Sequence, residues 1–86
     1  MHYLYILRSK SSGKYYIGET KDTAKRFKQH REGKTLFGKR NKEIELIYQQ
    51  KFENREQAKK VEYFLKAQKS CRFIEKFIKG EIVIPR

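Results

Sequence analysis

Tyr3-Leu4-Tyr5-Ile6-Leu7-Arg8-Ser9-Lys10-Ser11-Ser12-Gly13-Lys14-Tyr15-Tyr16-Ile17-Gly18 is the stretch that decides the fold. It opens on a short, continuous apolar run of strand formers. The run passes into the turn-rich Ser9-Lys10-Ser11-Ser12-Gly13 and resumes as a second β-prone run from Tyr15 to Gly18. Two such runs flanking a turn form a β-hairpin.

Downstream of Thr20 the pattern becomes helical. Asp22 or Thr23 can accept backbone N–H groups as an N-cap, the stretch to Glu32 lacks Gly and Pro, and Gly33 stands where a C-cap belongs. The segment from Lys34 to Glu43 has no usable period and carries Lys34, Lys39, Arg40 and Lys42, so it reads as a mobile basic loop. Ile44 to Phe52 is a third strand, with Ile44, Leu46 and Tyr48 on one side and Glu45 and Gln49 partly on the other.

Asn54, with Gln57 three residues on, is a capping-box pattern. It opens a helix whose Ala58, Val61 and Leu65 face a core, with Glu62 bordering that stripe. A last helix begins near Ser70, shows Cys71, Ile74, Phe77 and Ile78 on its apolar face, and stops at Gly80. Glu81-Ile82-Val83-Ile84 is an edge strand or a packed tail. The order strand, strand, helix, strand, helix, helix is an α/β arrangement of the α+β type. We expect a small three-stranded, mostly antiparallel sheet flanked by three helices, in one domain spanning residues 1–86.

Composition narrows the function classes. An 86-residue chain holds one modest core, and 14% aromatic residues are too many for a disordered one. Lys and Arg number 22 against 10 Asp and Glu, and a net charge of +12 repels itself unless it meets an anionic partner. Nucleic acid leads; an anionic membrane surface or a solubility face are the rival readings. No apolar run nears the roughly 20 residues of a membrane span and no secretory leader is recognisable, so a cytoplasmic location without membrane association is expected. Cys71 is the sole cysteine, which excludes an internal disulfide and a thiolate metal cage, and core packing is its expected role.

Tyr3-Leu4-Tyr5 followed by Tyr16-Ile17-Gly18-Glu19-Thr20 resembles the paired motifs of the GIY-YIG nucleases, and further matches follow in order. Arg26 and His30 stand on the first helix where that family carries an Arg and, in several branches, a His one turn later. Glu62 is similar to the family's metal-binding Glu on a later helix. The resemblance runs from about Tyr3 to Lys66 and is strongest to small stand-alone bacterial members. It implies a metal-dependent endonuclease that hydrolyses phosphodiester bonds in DNA, with Tyr5, Tyr16, Arg26, His30 and Glu62 catalytic and Glu62 the ligand of Mg²⁺ or Mn²⁺.

The residue types suit that chemistry. Phosphodiester hydrolysis needs a positioned water, an acceptor for its proton and positive charge against the phosphoryl oxygens. Arg26 and His30 lie four apart and project from one helix face. A guanidinium can fork across two phosphate oxygens. One carboxylate can hold Mg²⁺ when water and substrate supply the other ligands. A phenol is a poor base unless nearby positive charge pushes it toward phenolate. His30, whose ring titrates near working pH, is the candidate relay. Gly18 allows close backbone approach or positive φ. Lys21, Lys25, Arg31, Lys34, Lys39 and Arg40 are candidates to track phosphates.

Each residue also has a plain structural role to weigh. The tyrosines are ordinary strand formers, His30 could sit exposed at a helix end, and Glu62 could pair with Lys59 or Lys66. Two departures from the family pattern stand out: the leading Gly of the first motif is absent, and both asparagines, Asn41 and Asn54, precede Glu62 where many members have an Asn after it. The alternative reading is therefore an inactive nucleic-acid-binding module with the same fold.

Overall fold

β1 (His2–Ser9) is the middle strand of a three-stranded sheet, with β2 (Tyr15–Thr20) along one edge and β3 (Ile44–Phe52) along the other, both antiparallel to it. This is a computed structural model, and it describes residues 1–41, 43–68 and 70–80. The central position explains the uninterrupted apolar run. Leu4, Tyr5, Ile6 and Leu7 are all at most 1% exposed because both faces of β1 are covered.

One face carries the larger core. Leu4, Ile6 and Ile17 pack with Phe52, with Ala58, Val61 and Leu65 of α3 (Arg55–Gln68), and with Ile74 and Phe77 of α4 (Cys71–Ile78). Each such side chain taken fully out of water contributes about 1.5–3 kcal/mol before its entropy cost. The other face, holding Tyr5, Leu7, Tyr16 and Gly18, is covered by α1 (Thr23–Arg31) and by α2 (Leu36–Arg40).

Local chemistry sets the element ends. Asp22, not Thr23, caps α1, its carboxylate accepting from the Lys25 N–H at 3.1 Å. At the other end the Lys34 N–H reaches the Gln29 carbonyl and the Gly33 N–H reaches that of His30. This is a Schellman closure, and it needs the left-handed φ of +75° that Gly33 supplies. Asn54 caps α3 through the Gln57 N–H at 3.0 Å, and Ser70 caps α4 through the Phe73 N–H at 3.2 Å.

Three expectations are corrected. The segment after Gly33 is not a plain loop, because Thr35 caps the short helix α2 by accepting from the Gly38 N–H at 3.1 Å. The simple alternation expected of the third strand fails: Ile6 pairs with Tyr48 but Leu7 with Leu46, so Ile47 is an extra residue. This β-bulge turns Ile47 and Tyr48 toward the α3–α4 core and leaves Leu46 and Gln49 on the α1 face. Cys71 is exposed rather than packed in the core, which α4 enters instead through Ile74 and Phe77. The Glu81–Ile84 segment lies outside the described residues.

Candidate active site

Of the five residues singled out from the sequence, Tyr5, Tyr16, Arg26 and His30 stand together on the α1 face of the sheet, and Glu62, on α3, connects to Tyr16 only through Lys66. Tyr5 and Tyr16 project toward α1 from neighbouring strands, two pairs apart in register, with ring centres 6.1 Å apart. Tyr5 lies across Gly18, its pairing partner on β2, and a Cβ built there would sit 2.5 Å from the Tyr5 hydroxyl oxygen. Gly18 is therefore required for close approach and not for a positive φ, which it does not adopt.

His30 completes the buried part. It is wholly buried, which rules out an exposed helix-end role. Its Nε2 lies 3.2 Å from the Tyr5 hydroxyl and its Nδ1 lies 2.6 Å from Thr35 Oγ1. Its ring is also 4.7 Å from that of Tyr16, centre to centre. Burial first, and then the neighbouring Arg26 charge, push its pKa down to about 4. The ring is neutral at neutral pH, with one nitrogen free to accept a proton, so it does not titrate near working pH as the sequence implies.

Tyr5 responds to the same surroundings in the opposite sense. Burial raises its pKa, and the Arg26 guanidinium offsets only part of that rise. Tyr5 is thus a neutral phenol and not a phenolate. Arg26 is half-buried beside both tyrosines, chiefly Tyr5, whose hydroxyl helps hold the guanidinium above its ordinary pKa. Its Nη1 donates to Gln29 Oε1 at 2.9 Å.

Glu62 approaches from the other side. Its carboxylate lies 3.6 Å from Lys66 Nζ, and that ammonium stands 5.9 Å from the centre of the Tyr16 ring. Because α3 packs on the sheet face opposite α1, this contact shows the two sides meeting around the edge of β2. Tyr16, Arg26 and Glu62 are partly accessible, whereas Tyr5 and His30 form a buried layer behind them.

Glu62 has the donor chemistry for a hard divalent cation: a carboxylate, 20% exposed in its side chain, whose partner is the half-exposed Lys66 ammonium. Among the described residues no three His, Cys, Asp or Glu cluster into a metal cage. Glu62 therefore fits an ion that keeps most of its own waters. Glu19 is engaged elsewhere, with Arg55 at 3.2 Å and His2 at 3.7 Å, on the sheet face away from the tyrosines.

The basic candidates do not form one patch. Lys21 and Lys25 are exposed at the start of α1. At its other end, Arg31 and Lys39 line a groove of about 560 Å³ that also holds Glu32 and Glu43. Lys34 leans on Glu32 at 3.6 Å, and Arg40 is exposed on α2.

Four site neighbours were not singled out from the sequence as site residues. Thr35 holds His30. Phe37 packs at a tilt against Tyr16 with ring centres 5.1 Å apart, and the Lys66 ammonium lies 5.9 Å from the centre of that ring. Gly38 lies so close to His30 that a Cβ on it would strike the His30 carbonyl. The sequence signal for Thr35 was its place directly before a helical turn; Lys66 was marked only as a helical partner for Glu62, and nothing local marked Phe37.

A family model of the GIY-YIG catalytic domain matches residues 1–73. The chain belongs to the GIY-YIG family. The relatives are small proteins of similar length. A UPF0213 protein of Staphylococcus saprophyticus is 36% identical over 66 residues, 76% of this chain and 79% of the relative. A UPF0213 protein of Staphylococcus aureus is 33% identical over 78 residues, 86% of this chain and 94% of the relative. The solution NMR structure of a UPF0213 protein from Bacillus halodurans superposes with a TM-score of 0.59 at 32% identity, covering 93% of this chain and 84% of that one. The three-stranded sheet with its helices is thus the GIY-YIG architecture of the UPF0213 proteins, and Tyr5, Tyr16, Arg26, His30 and Glu62 lie within the matched span.

Proposed function

We propose that this GIY-YIG protein is a divalent-metal-dependent endonuclease that hydrolyses phosphodiester bonds in DNA, in repair or recombination. The observation that carries the reading is Arg26 standing beside Tyr5 and Tyr16 over the buried pair of Tyr5 and His30 at 3.2 Å, with Glu62 joined to Tyr16 through the Lys66 ammonium. Family membership supports it independently.

Each side chain has a task that its surroundings suit. Arg26 forks across the phosphoryl oxygens where negative charge grows. Tyr16, the accessible phenol, orients the phosphate or the attacking water. The proton leaving that water reaches the Tyr5 oxygen as the Tyr5 hydroxyl proton passes to His30 Nε2. This relay uses the Nδ1–H tautomer, in which Thr35 Oγ1 accepts from His30 as well as from the Gly38 N–H. Glu62 would hold a Mg²⁺ or Mn²⁺, which when bound would supply positive charge against the phosphate.

The test is cleavage of labelled single-stranded, duplex and branched DNA with and without Mg²⁺ or Mn²⁺, by wild type, Glu62→Ala and Arg26→Ala. Metal-dependent cutting by wild type and its loss in both variants is the expected result. Cutting that survives Glu62→Ala overturns the assignment. The absence of an Asn after Glu62 favours a second reading, an inactive nucleic-acid-binding module, and salt-sensitive binding without cutting would establish it.

A further inference from the structure

Tyr63 is out of place among the tyrosines. The other five are at least half-buried, and Tyr15 and Tyr48 donate to Glu75 and Gln50. Tyr63 is 79% exposed, the most open large apolar side chain of the described residues, and its ring and hydroxyl have no partner among them. Single exposed apolar residues are ordinary on protein surfaces, so exposure alone carries nothing. Its setting carries more.

Lys59, Glu62, Tyr63 and Lys66 stand at helical positions i, i+3, i+4 and i+7, which is one continuous stripe on α3. With about 100° per residue, Tyr63 points almost directly away from the core formed by Ala58, Val61 and Leu65. Glu62 lies on the flank toward β2, and Lys66 and Lys59 fill the arc between the two. Tyr63 also lines a shallow groove of about 440 Å³ with Glu56, Lys59 and Lys60. Lys59 and Lys60 form no ion pair or hydrogen bond among the described residues. The stripe therefore leads from the partly accessible Glu62 carboxylate, over Lys66, which pairs with it, and the unpaired Lys59, to an unstacked aromatic face.

We propose that Tyr63 is a stacking platform for an unpaired nucleobase flanking the scissile bond, with Lys59 and Lys66 on the phosphates either side of it. Aromatic faces interleaved with cations are what single-stranded nucleic acid binds, because every base has a π-face and every link a charge. A paired base offers no free face, so the platform selects substrates with a single-stranded flank next to the cut. This deepens the nuclease reading and rests on it for the position of the scissile bond.

The test is equilibrium binding in EDTA, by fluorescence anisotropy, of three labelled DNAs: a duplex with an unpaired flank, the same duplex fully paired, and the flanked duplex with abasic sites in its flank. Wild type is compared with Tyr63→Ala and Tyr63→Phe, neither of which disturbs the core. Tyr63→Ala is expected to lose roughly tenfold on the unpaired flank, a fall within the range measured for one stacked base, and Tyr63→Phe to hold wild-type affinity. Neither variant should change binding to the paired or abasic DNA. Equal affinity of Tyr63→Ala and wild type for the flank overturns the proposal, as does an equal loss on abasic DNA. A wild-type dimer that Tyr63→Ala converts to monomer in sedimentation also overturns it, by assigning the patch to a second copy of the chain. The assay needs no metal and no turnover, so failure of the nuclease reading shows separately, as wild type that binds and never cuts.

Discussion

Gly18→Ala tests the packing on which the site rests. The added Cβ would lie 2.5 Å from the Tyr5 hydroxyl oxygen, 2.7 Å from Cζ and 3.0 Å from Cε1. Unstrained contacts of this kind fall near 3.5–4.0 Å, so the ring must retreat by about 1 Å. It has little room: Tyr5 is 1% exposed, its hydroxyl lies against His30 at 3.2 Å, and its backbone pairs with strands on both sides. Overpacking of this kind costs about 1–3 kcal/mol. For a chain of this size each kcal/mol lowers Tm by roughly 4–8 °C. The urea midpoint should fall with an unchanged slope, since the unfolded chain exposes the same surface. Adding Tyr5→Phe removes the nearest clashing atom but leaves Cζ at 2.7 Å, so the double variant should regain part of the loss. A Gly18→Ala protein that melts within about 1 °C of wild type would refute the reasoning, because the ring would then be free to move.

Two further outcomes follow from His30. Its folded pKa of about 4 lies below the unfolded value of 6.5, so between these the unfolded chain binds more protons and stability rises with pH. The contribution is fully present above pH 6.5 and is lost as pH falls toward 4, by up to about 3 kcal/mol. Urea midpoints measured from pH 4 to 7 should show that acid limb, and His30→Gln should flatten it; an unchanged limb in the variant would assign the loss to other groups. Thr35→Val removes both the partner of His30 Nδ1 and the cap of α2, a loss of about 1–3 kcal/mol, whereas Thr35→Ser keeps both bonds. In the cleavage assay the Val variant should lose rate and shift its pH profile while the Ser variant follows wild type; equal behaviour of the two would remove Thr35 from the site.

Periodicity and end chemistry were enough to read the hairpin, the three longer helices and their caps. The Tyr3–Leu7 run, the Asn54 cap with the Ala58, Val61 and Leu65 stripe, and Ser70 before Ile74 and Phe77 all state their local structure in their own neighbourhoods. The family motifs named Tyr5, Tyr16, Arg26, His30 and Glu62 as site candidates in the same local way, because their spacing is a property of the chain order. What could not be read locally depended on partners far along the chain. The Leu46–Tyr48 alternation failed because register against β1 inserted a bulge at Ile47. The segment after Gly33 became helical because Thr35 and Gly38 dock on His30.

Residue order thus determined the strands, the helix starts and which side chains are candidates for the site, because hydrophobic period, capping and side-chain type are local properties. Only the tertiary structure decided the states of those groups. Burial makes His30 neutral and Tyr5 a neutral phenol, and burial is a property of everything packed around a residue rather than of its neighbours in the chain. It also brought Lys66, the local partner of Glu62, round the β2 edge to Tyr16, a meeting of opposite sheet faces that no sequence spacing encodes.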